Sequence, residues 1–200
     1  DGEVIAMRTP PVQRFGAAKV TPPPGAFLQA TPHGEAALVT AVREAVGEAR
    51  HVIDLFAGCG TFSLPLADQA EVHAVEGDAA MTAALDHGWR MSTGLKPVTT
   101  EARDLFRRPL LPDELAKTDA VVIDPPRAGA EAQIAEIVKA MPPVLAYVSC
   151  NPVTFARDAA VLIAAGYTLN WVQVVDQFRW SSHVELAAQF TAPEVQRKRK

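Results

Sequence analysis

Cys150 stands where an apolar run, "PPVLAYV", gives out and where Asn151-Pro152 opens a helical pattern. A cysteine at the junction of a strand and a helix N-terminus is placed for nucleophilic chemistry, because the thiolate is the reactive form. A free thiol of pKa about 8.5 is only about 3% ionised at pH 7. A helix N-terminus worth roughly 1–2 kcal/mol is expected to lower that pKa by about one unit. A lone cysteine ending an apolar strand is otherwise a small buried hydrophobe, so the assignment needs a second group. One lies 35 residues on, in "SSHVELAAQF", where alternation along a strand over 183–190 places His183 and Glu185 on one face and Val184 on the other. A carboxylate in so apolar a strand is the second candidate group.

Three further stretches carry residues suited to ligands. "DLFAGCGTF" sets Gly58 and Gly60 in the turn after an apolar strand, where glycine lets the backbone approach a bound molecule. The next strand ends in Glu76, 16 residues past Gly60, where an acidic side chain can accept hydrogen bonds from both hydroxyls of a ribose. A dinucleotide would need a third glycine, and Thr61-Phe62-Ser63 follows instead. The ligand expected is therefore a nucleoside without phosphates, which points to S-adenosylmethionine. Asp104, ending a third strand in "EARD", is placed to meet its adenine amino group. "DPPRAG" (124–129) holds its backbone rigidly extended through two prolines that lack an N–H. It presents Asp124, Pro125 and Arg127 as a substrate-facing loop.

The elements that must position these groups alternate along the chain. Strands are expected at 51–56, 71–76, 97–104, 119–124 and 144–149, with helices at about 78–91, 130–140 and 152–165 and a short one after Thr61. Pro152 suits a first helical position. A helix from about Gly34 to Gly47 precedes the series, and two strands, about 167–176 and 183–190, close it with no helix between. This alternation specifies an α/β fold, a doubly wound and mostly parallel sheet with an antiparallel C-terminal edge hairpin. Ligands bind at the carboxyl ends of strands in such sheets, so the residues just past 55, 75, 103, 123 and 149 are the ones placed to meet them. The first 33 residues hold six prolines and no sustained period. They read as an extended arm or linker, the end of a preceding domain; 34–192 read as the catalytic domain and 193–200 as a basic tail.

Composition narrows the functions. Two hundred residues at 48% hydrophobic content suffice for one domain with a substantial core. A formal charge of −4 argues against an autonomous nucleic-acid binder, which gains most of its affinity by neutralising phosphates. Cys59 and Cys150, about 90 residues apart, form neither a disulfide framework nor a zinc site. No apolar run matches a membrane span, and there is no basic-plus-apolar leader. A reduced, cytoplasmic setting is expected, as are a monomer and no membrane partner.

Taken together, "PGAFLQ", "DLFAGCGTF", "VEGD", "DPPRAG", "SCNP" and "HVE" resemble, in order, the RNA uracil-C5 methyltransferases that act on tRNA and ribosomal RNA. The resemblance covers about residues 20–191 and implies a class I S-adenosylmethionine-dependent (Rossmann-like) catalytic domain. It makes Cys150 the nucleophile that adds to uracil C6 and Glu185 the base that removes the C5 proton. It also implies that Gln29, Phe56, Gly58, Gly60, Thr61, Glu76, Asp104 and Asp124 hold S-adenosylmethionine. Phe27 would stack on a flipped-out uracil, with Pro125, Arg127 and His183 beside it. RNA is the implied partner. Many members also carry an N-terminal RNA-binding β-barrel and a cysteine cluster holding an iron–sulfur centre. Neither is in this sequence, so any such cluster would belong to an N-terminal part beyond this chain, and no metal is expected within it. Thr31 and Thr61 replace a common Asn, and Arg179-Trp180 stand where a Pro is usual.

Other readings use the same residues. An RNA amino-group methyltransferase would use the Asp-Pro-Pro loop without covalent catalysis. A non-catalytic RNA-binding module would keep the fold without turnover, and an NAD-linked oxidoreductase lacks its third glycine.

Overall fold

In the computed structural model the described residues are 8–178 and 180–193. Arg179 and positions 194–200 of the expected basic tail lie outside them. The sheet is built from β3 (His51–Leu55), β4 (Glu71–Glu76), β5 (Val98–Ala102), β6 (Ala120–Ile123), β7 (Val144–Ser149), β8 (Thr168–Val175) and β9 (Glu185–Thr191). Their order is β5-β4-β3-β6-β7-β9-β8. The first five run parallel, and β9 pairs antiparallel with both β7 and β8. This is the doubly wound sheet with an antiparallel C-terminal hairpin that the alternation requires. The last strand enters inside β8 and leaves β8 at the edge. All four residues of β6, "AVVI", are buried, as expected for a central parallel strand covered on both faces.

Helices α1 (Pro32–Val46) and α3 (Ala79–Arg90) cover one face, where Leu38, Val42 and Leu85 join Val52, Val72 and Val122 in one core. On the other face α5 (Glu131–Ala140) and α6 (Pro152–Ala164) bring Ile134, Ile137, Phe155 and Leu162 against Leu55, Ile123 and Tyr147. The short α2 (Ser63–Leu66) and α4 (Pro112–Leu115) complete the helices. Helix α1 starts two residues earlier than its periodicity indicates. Thr31 caps it, its hydroxyl accepting the Gly34 N–H at 3.0 Å, with Pro32 at a first-turn position that needs no donor.

The N-terminal stretch differs most from its reading as an extended arm. Within it β1 (Gln13–Phe15) and β2 (Ala18–Val20) form an antiparallel hairpin. Phe15, Ala18 and Val20 are buried in the first core. The close approach fixes Gly88 of α3, since a Cβ there would meet Val20 Cγ2 at 2.6 Å. Three-residue strands are too short to show a period, so proline content dominated the reading.

Candidate active site

The carboxyl ends of β3, β4, β5, β6 and β7 open into a cleft of about 750 Å³, a usual size for a small-molecule site. It lies where strand order reverses, between β3 and β6. Twelve of the residues singled out from the sequence line it: Phe27, Gln29, Phe56, Gly58, Thr61, Glu76, Asp104, Asp124, Pro125, Arg127, Cys150 and Glu185. Antiparallel insertion of β9 unites the last two. Ser149, ending β7, pairs with Leu186 near the start of β9. Cys150 and Glu185 therefore meet at one edge of the sheet although 35 residues separate them.

Gly60 and His183 are placed differently. Gly60 is buried with φ 96°, and a Cβ would meet Leu64 Cδ1 and Leu85 Cγ at 2.9 Å. It packs the turn and does not line the cleft. His183 is not in a strand: pairing begins at Glu185 opposite Val175. In the loop before it the Ser181 N–H donates to the Phe178 carbonyl at 3.1 Å. The His183 ring is exposed and meets Phe178 edge-on at 6.1 Å.

Each strand end arranges its polar groups differently. Glu76 accepts the Gly58 N–H at 3.0 Å and the Asp78 N–H at 2.9 Å, which ties the glycine turn to the end of β4. A Cβ on Gly58 would meet nothing within 4 Å, so the backbone there faces open space. Phe56 has φ 60°, strained for an aromatic residue, and its ring packs on Phe106 at 5.4 Å. These two rings form an apolar wall suited to a flat base. Asp104 uses Oδ1 within its own turn, accepting the Phe106 and Arg107 N–H groups.

Several supporting residues gave no signal in the sequence. Arg103, largely buried, donates to both oxygens of Glu114 at 2.6 and 3.1 Å and to the carbonyls of Arg108 and Pro109. It fastens the loop that carries Asp104 and Phe106. Asn151 caps α6 by accepting the Val153 N–H and donates to the Arg127 carbonyl at 2.9 Å. Buried Asp158 accepts the Ala130 N–H at 2.8 Å and the Tyr147 hydroxyl at 2.7 Å. Together they lash the 124–130 loop to the helix behind Cys150. A buried side chain reveals its partner only after folding, so the sequence could show at most that Asn151 precedes a proline.

The electrostatics correct one expectation. The Cys150 thiol is held above its ordinary pKa, first by burial and then by the nearby Glu185 and Asp124 carboxylates, which outweigh local hydrogen bonding and Arg127. The helix N-terminus does not outweigh burial and the two carboxylates. Burial raises Glu185 to about 7. Asp124 is raised by burial, then by Glu185 and Asp54. Asp54 lies completely buried behind the glycine turn and is raised to about 7, chiefly by burial. Its Oδ2 accepts the Ser63 hydroxyl at 2.5 Å, while Oδ1 has no partner. Asp124 and Glu185 in the cleft lining, and Asp54 buried outside it, are thus acids whose shifts no cationic side chain offsets. A cationic ligand would relieve them.

A family model described as tRNA (uracil-5-)-methyltransferase matches residues 89–191, more than half of the chain. The chain belongs to this family. A Mesorhizobium japonicum relative, described as an uncharacterized RNA methyltransferase, is 54% identical over 197 residues, covering 98% of this chain and 48% of its own length. The 23S rRNA (uracil(1939)-C(5))-methyltransferase of Halomonas elongata is 44% identical over 143 residues, covering 70% of this chain and 29% of its own. The chain thus spans about half the length of the first of these relatives, or less. Among solved structures, Pyrococcus abyssi tRNA (uracil-54, C5)-methyltransferase in complex with S-adenosyl-L-homocysteine matches with a TM-score of 0.77 at 28% identity, over 90% of this chain and 44% of that one. A magnesium protoporphyrin IX methyltransferase from Synechocystis, 15% identical with a TM-score of 0.56, shares the fold alone. The sheet of this uracil-5-methyltransferase family member is the class I methyltransferase fold. Among its described residues no helix is long and apolar enough to cross a membrane, and no cluster of His, Cys, Asp and Glu suited to a metal is present.

Proposed function

We propose that the chain is the catalytic part of an RNA methyltransferase that transfers a methyl group from S-adenosylmethionine to C5 of uracil, in tRNA or ribosomal RNA. The observation that carries this reading is the meeting of Cys150 and Glu185 in one cleft that Asp124 and the exposed Phe27 also line. The cleft fits the cofactor: Glu76 would meet the ribose, the Phe56 and Phe106 rings would wall the adenine, and acids without a cationic partner would favour a positively charged sulfur. When bound there, S-adenosylmethionine supplies an electrophilic methyl group on a positively charged sulfur.

Uracil C5 is too weak a nucleophile to accept that methyl unaided. The Cys150 thiolate adds to C6 and moves charge onto C5 and O4; C5 then takes the methyl group, and the electron pair of the broken sulfur–methyl bond stays on the sulfur. Glu185 removes the C5 proton, the electron pair of that C–H bond re-forms the C5–C6 double bond, and Cys150 leaves as thiolate. Covalent catalysis is followed by general-base catalysis, the latter worth about 10²–10⁴ in rate. A carboxylate raised to about 7 is matched to this task near neutrality. The raised thiol fits a sequence in which Cys150 ionises only once a cation offsets Glu185 and Asp124. Phe27, 66% exposed at the mouth, is available to stack on a base swung out of the RNA, returning about 1–3 kcal/mol against the few needed to unstack it.

The test is nucleoside mass spectrometry of RNA incubated with the protein and S-adenosylmethionine. The expected product is 5-methyluridine, absent with Cys150→Ala. An N-methylated nucleoside that survives Cys150→Ala would instead assign the Asp-Pro-Pro loop to amino-group methylation.

A further inference from the structure

Gln177, in the loop between β8 and β9, is 7% exposed and lies outside the residues lining the cleft. Its Oε1 accepts the Thr31 backbone N–H at 3.2 Å. Its Nε2 donates to Gln29 Oε1 at 2.7 Å. Gln29 lines the cleft. A backbone N–H can only donate, so the end of Gln177 at Thr31 must be its carbonyl oxygen. The opposite end is then the amino group, and the Gln29 atom it meets must be a carbonyl oxygen. Gln29 is left with its own NH₂ group for the cleft. The chain has made room for this contact, because any Cβ on Gly34 would fall inside the Gln177 side chain.

We infer that Gln177 is a positioning residue that sets the polarity of Gln29, fixing it as a hydrogen-bond donor to an acceptor oxygen of the bound ligand. This rests on the cofactor reading above. S-adenosylmethionine offers one such group, the carboxylate of its amino-acid end; the flipped base offers its carbonyl oxygens. The relay also joins two parts of the site that sequence keeps apart. Residues 27–31 carry Phe27 and Gln29, and the loop holding Gln177 leads directly into Glu185.

Gln177→Glu keeps the shape and reverses the polarity. A carboxylate still accepts from Thr31, but Gln29 must turn its NH₂ toward it and present its own carbonyl to the cleft. Gln177→Met removes both polar ends without adding charge and leaves Gln29 free to rotate. Binding is measured by calorimetry with S-adenosylhomocysteine, and with methylthioadenosine, which has no amino-acid carboxylate. Gln177→Glu is expected to weaken S-adenosylhomocysteine about ten- to hundredfold, the factor carried by one hydrogen bond to a charged group. Gln177→Met should weaken it less, and methylthioadenosine should bind both variants as it binds the parent. In a Gln29→Ala background Gln177→Met should cost nothing further. Unchanged affinity with a raised KM for RNA in both variants would keep the relay and assign its acceptor to the base. Unchanged affinity and unchanged KM would overturn it, as would equal losses with both nucleosides. Failure of the parent protein to bind S-adenosylhomocysteine would instead contradict the cofactor reading and overturn the relay with it.

Discussion

The two ends of the sheet hold carboxylates treated in opposite ways. At the amino ends of the strands Asp119, just before β6, accepts the backbone N–H groups of Arg50 and His51, both at 2.9 Å, and lies 3.3 Å from the His51 ring. Partial burial works against it, but those donors hold its pKa below the ordinary value. At the carboxyl ends Asp54, Asp124 and Glu185 are pushed upward by burial, and no cationic side chain offsets the displacement. Identical chemistry has been placed in two environments on the same strands. Asp119 is finished by its own backbone, as are Glu76 and Asp104 at the opposite end; Asp54, Asp124 and Glu185 are left incomplete. The carboxyl end also holds the strained Phe56 and an unpartnered Asp54 oxygen. Stability is forgone where a ligand must bind, and that asymmetry marks the site without reference to any relative.

The comparison can be broken at either end. The largest expected effect is at Glu185. Glu185→Gln should lower turnover about 10²–10⁴-fold, the usual contribution of a general base, and should accumulate an RNA–protein adduct, because addition and methyl transfer precede its step. Rapid release of free product would remove it as the base. In the parent protein, turnover should rise as pH passes about 7, where Glu185 loses its proton; this limb should be missing from the variant's profile.

Asp54 tests the idea of forgone stability. Its folded pKa is raised from 3.8 to about 7, so the stability it contributes is complete below its unfolded pKa and is lost as pH rises through about 7. Asp54→Asn can still accept from Ser63 and has no charge to bury. Thermal unfolding followed from pH 5 to 8 should show a flatter decline than the parent's, with a gain on the order of 2 kcal/mol at pH 8. A variant that declines as steeply as the parent would show that Asp54 is not the buried acid described.

The smallest effect belongs to Asp119. With a depressed pKa, its contribution is present above its unfolded value and lost as pH falls through the folded one. Asp119→Ala should cost about 0.5–1.5 kcal/mol at neutral pH and nothing in acid, the reverse of the slope expected for Asp54. The comparison fails if both variants slope alike.

Much of the site was legible because strand ends are legible. Apolar runs such as "AVVID" locate the sheet, alternation with helices makes it parallel, and parallel sheets hold ligands at their carboxyl ends. Glu76, Asp124 and Cys150 follow from counting alone. Pairing Cys150 with Glu185 rests on the family resemblance, because the contact depends on β9 entering beside β7, which no local pattern marks. What stayed hidden depends on contact between distant segments. Nothing local in "DQF" marks Gln177 as a partner of Thr31 and Gln29, nor does "EARD" mark Arg103 as the anchor of a loop. His183 lies outside β9 because the apolar alternation in the sequence begins two residues before the strand pairs. The thiol shift is upward, against the helix N-terminus, because burial first and then two carboxylates act on it, and only folding supplies either.

The central claim, a covalent bond from Cys150 to a pyrimidine C6, is tested most directly with RNA containing 5-fluorouridine, whose C5 offers no proton to remove. The protein is incubated with that RNA and S-adenosylmethionine, then resolved on denaturing gels and digested for peptide mass spectrometry. The account predicts a stable adduct on the peptide carrying Cys150, dependent on S-adenosylmethionine and lost in Cys150→Ala. Methylation of unmodified RNA with no adduct on the fluorinated RNA, or an adduct that persists in Cys150→Ala, would contradict it.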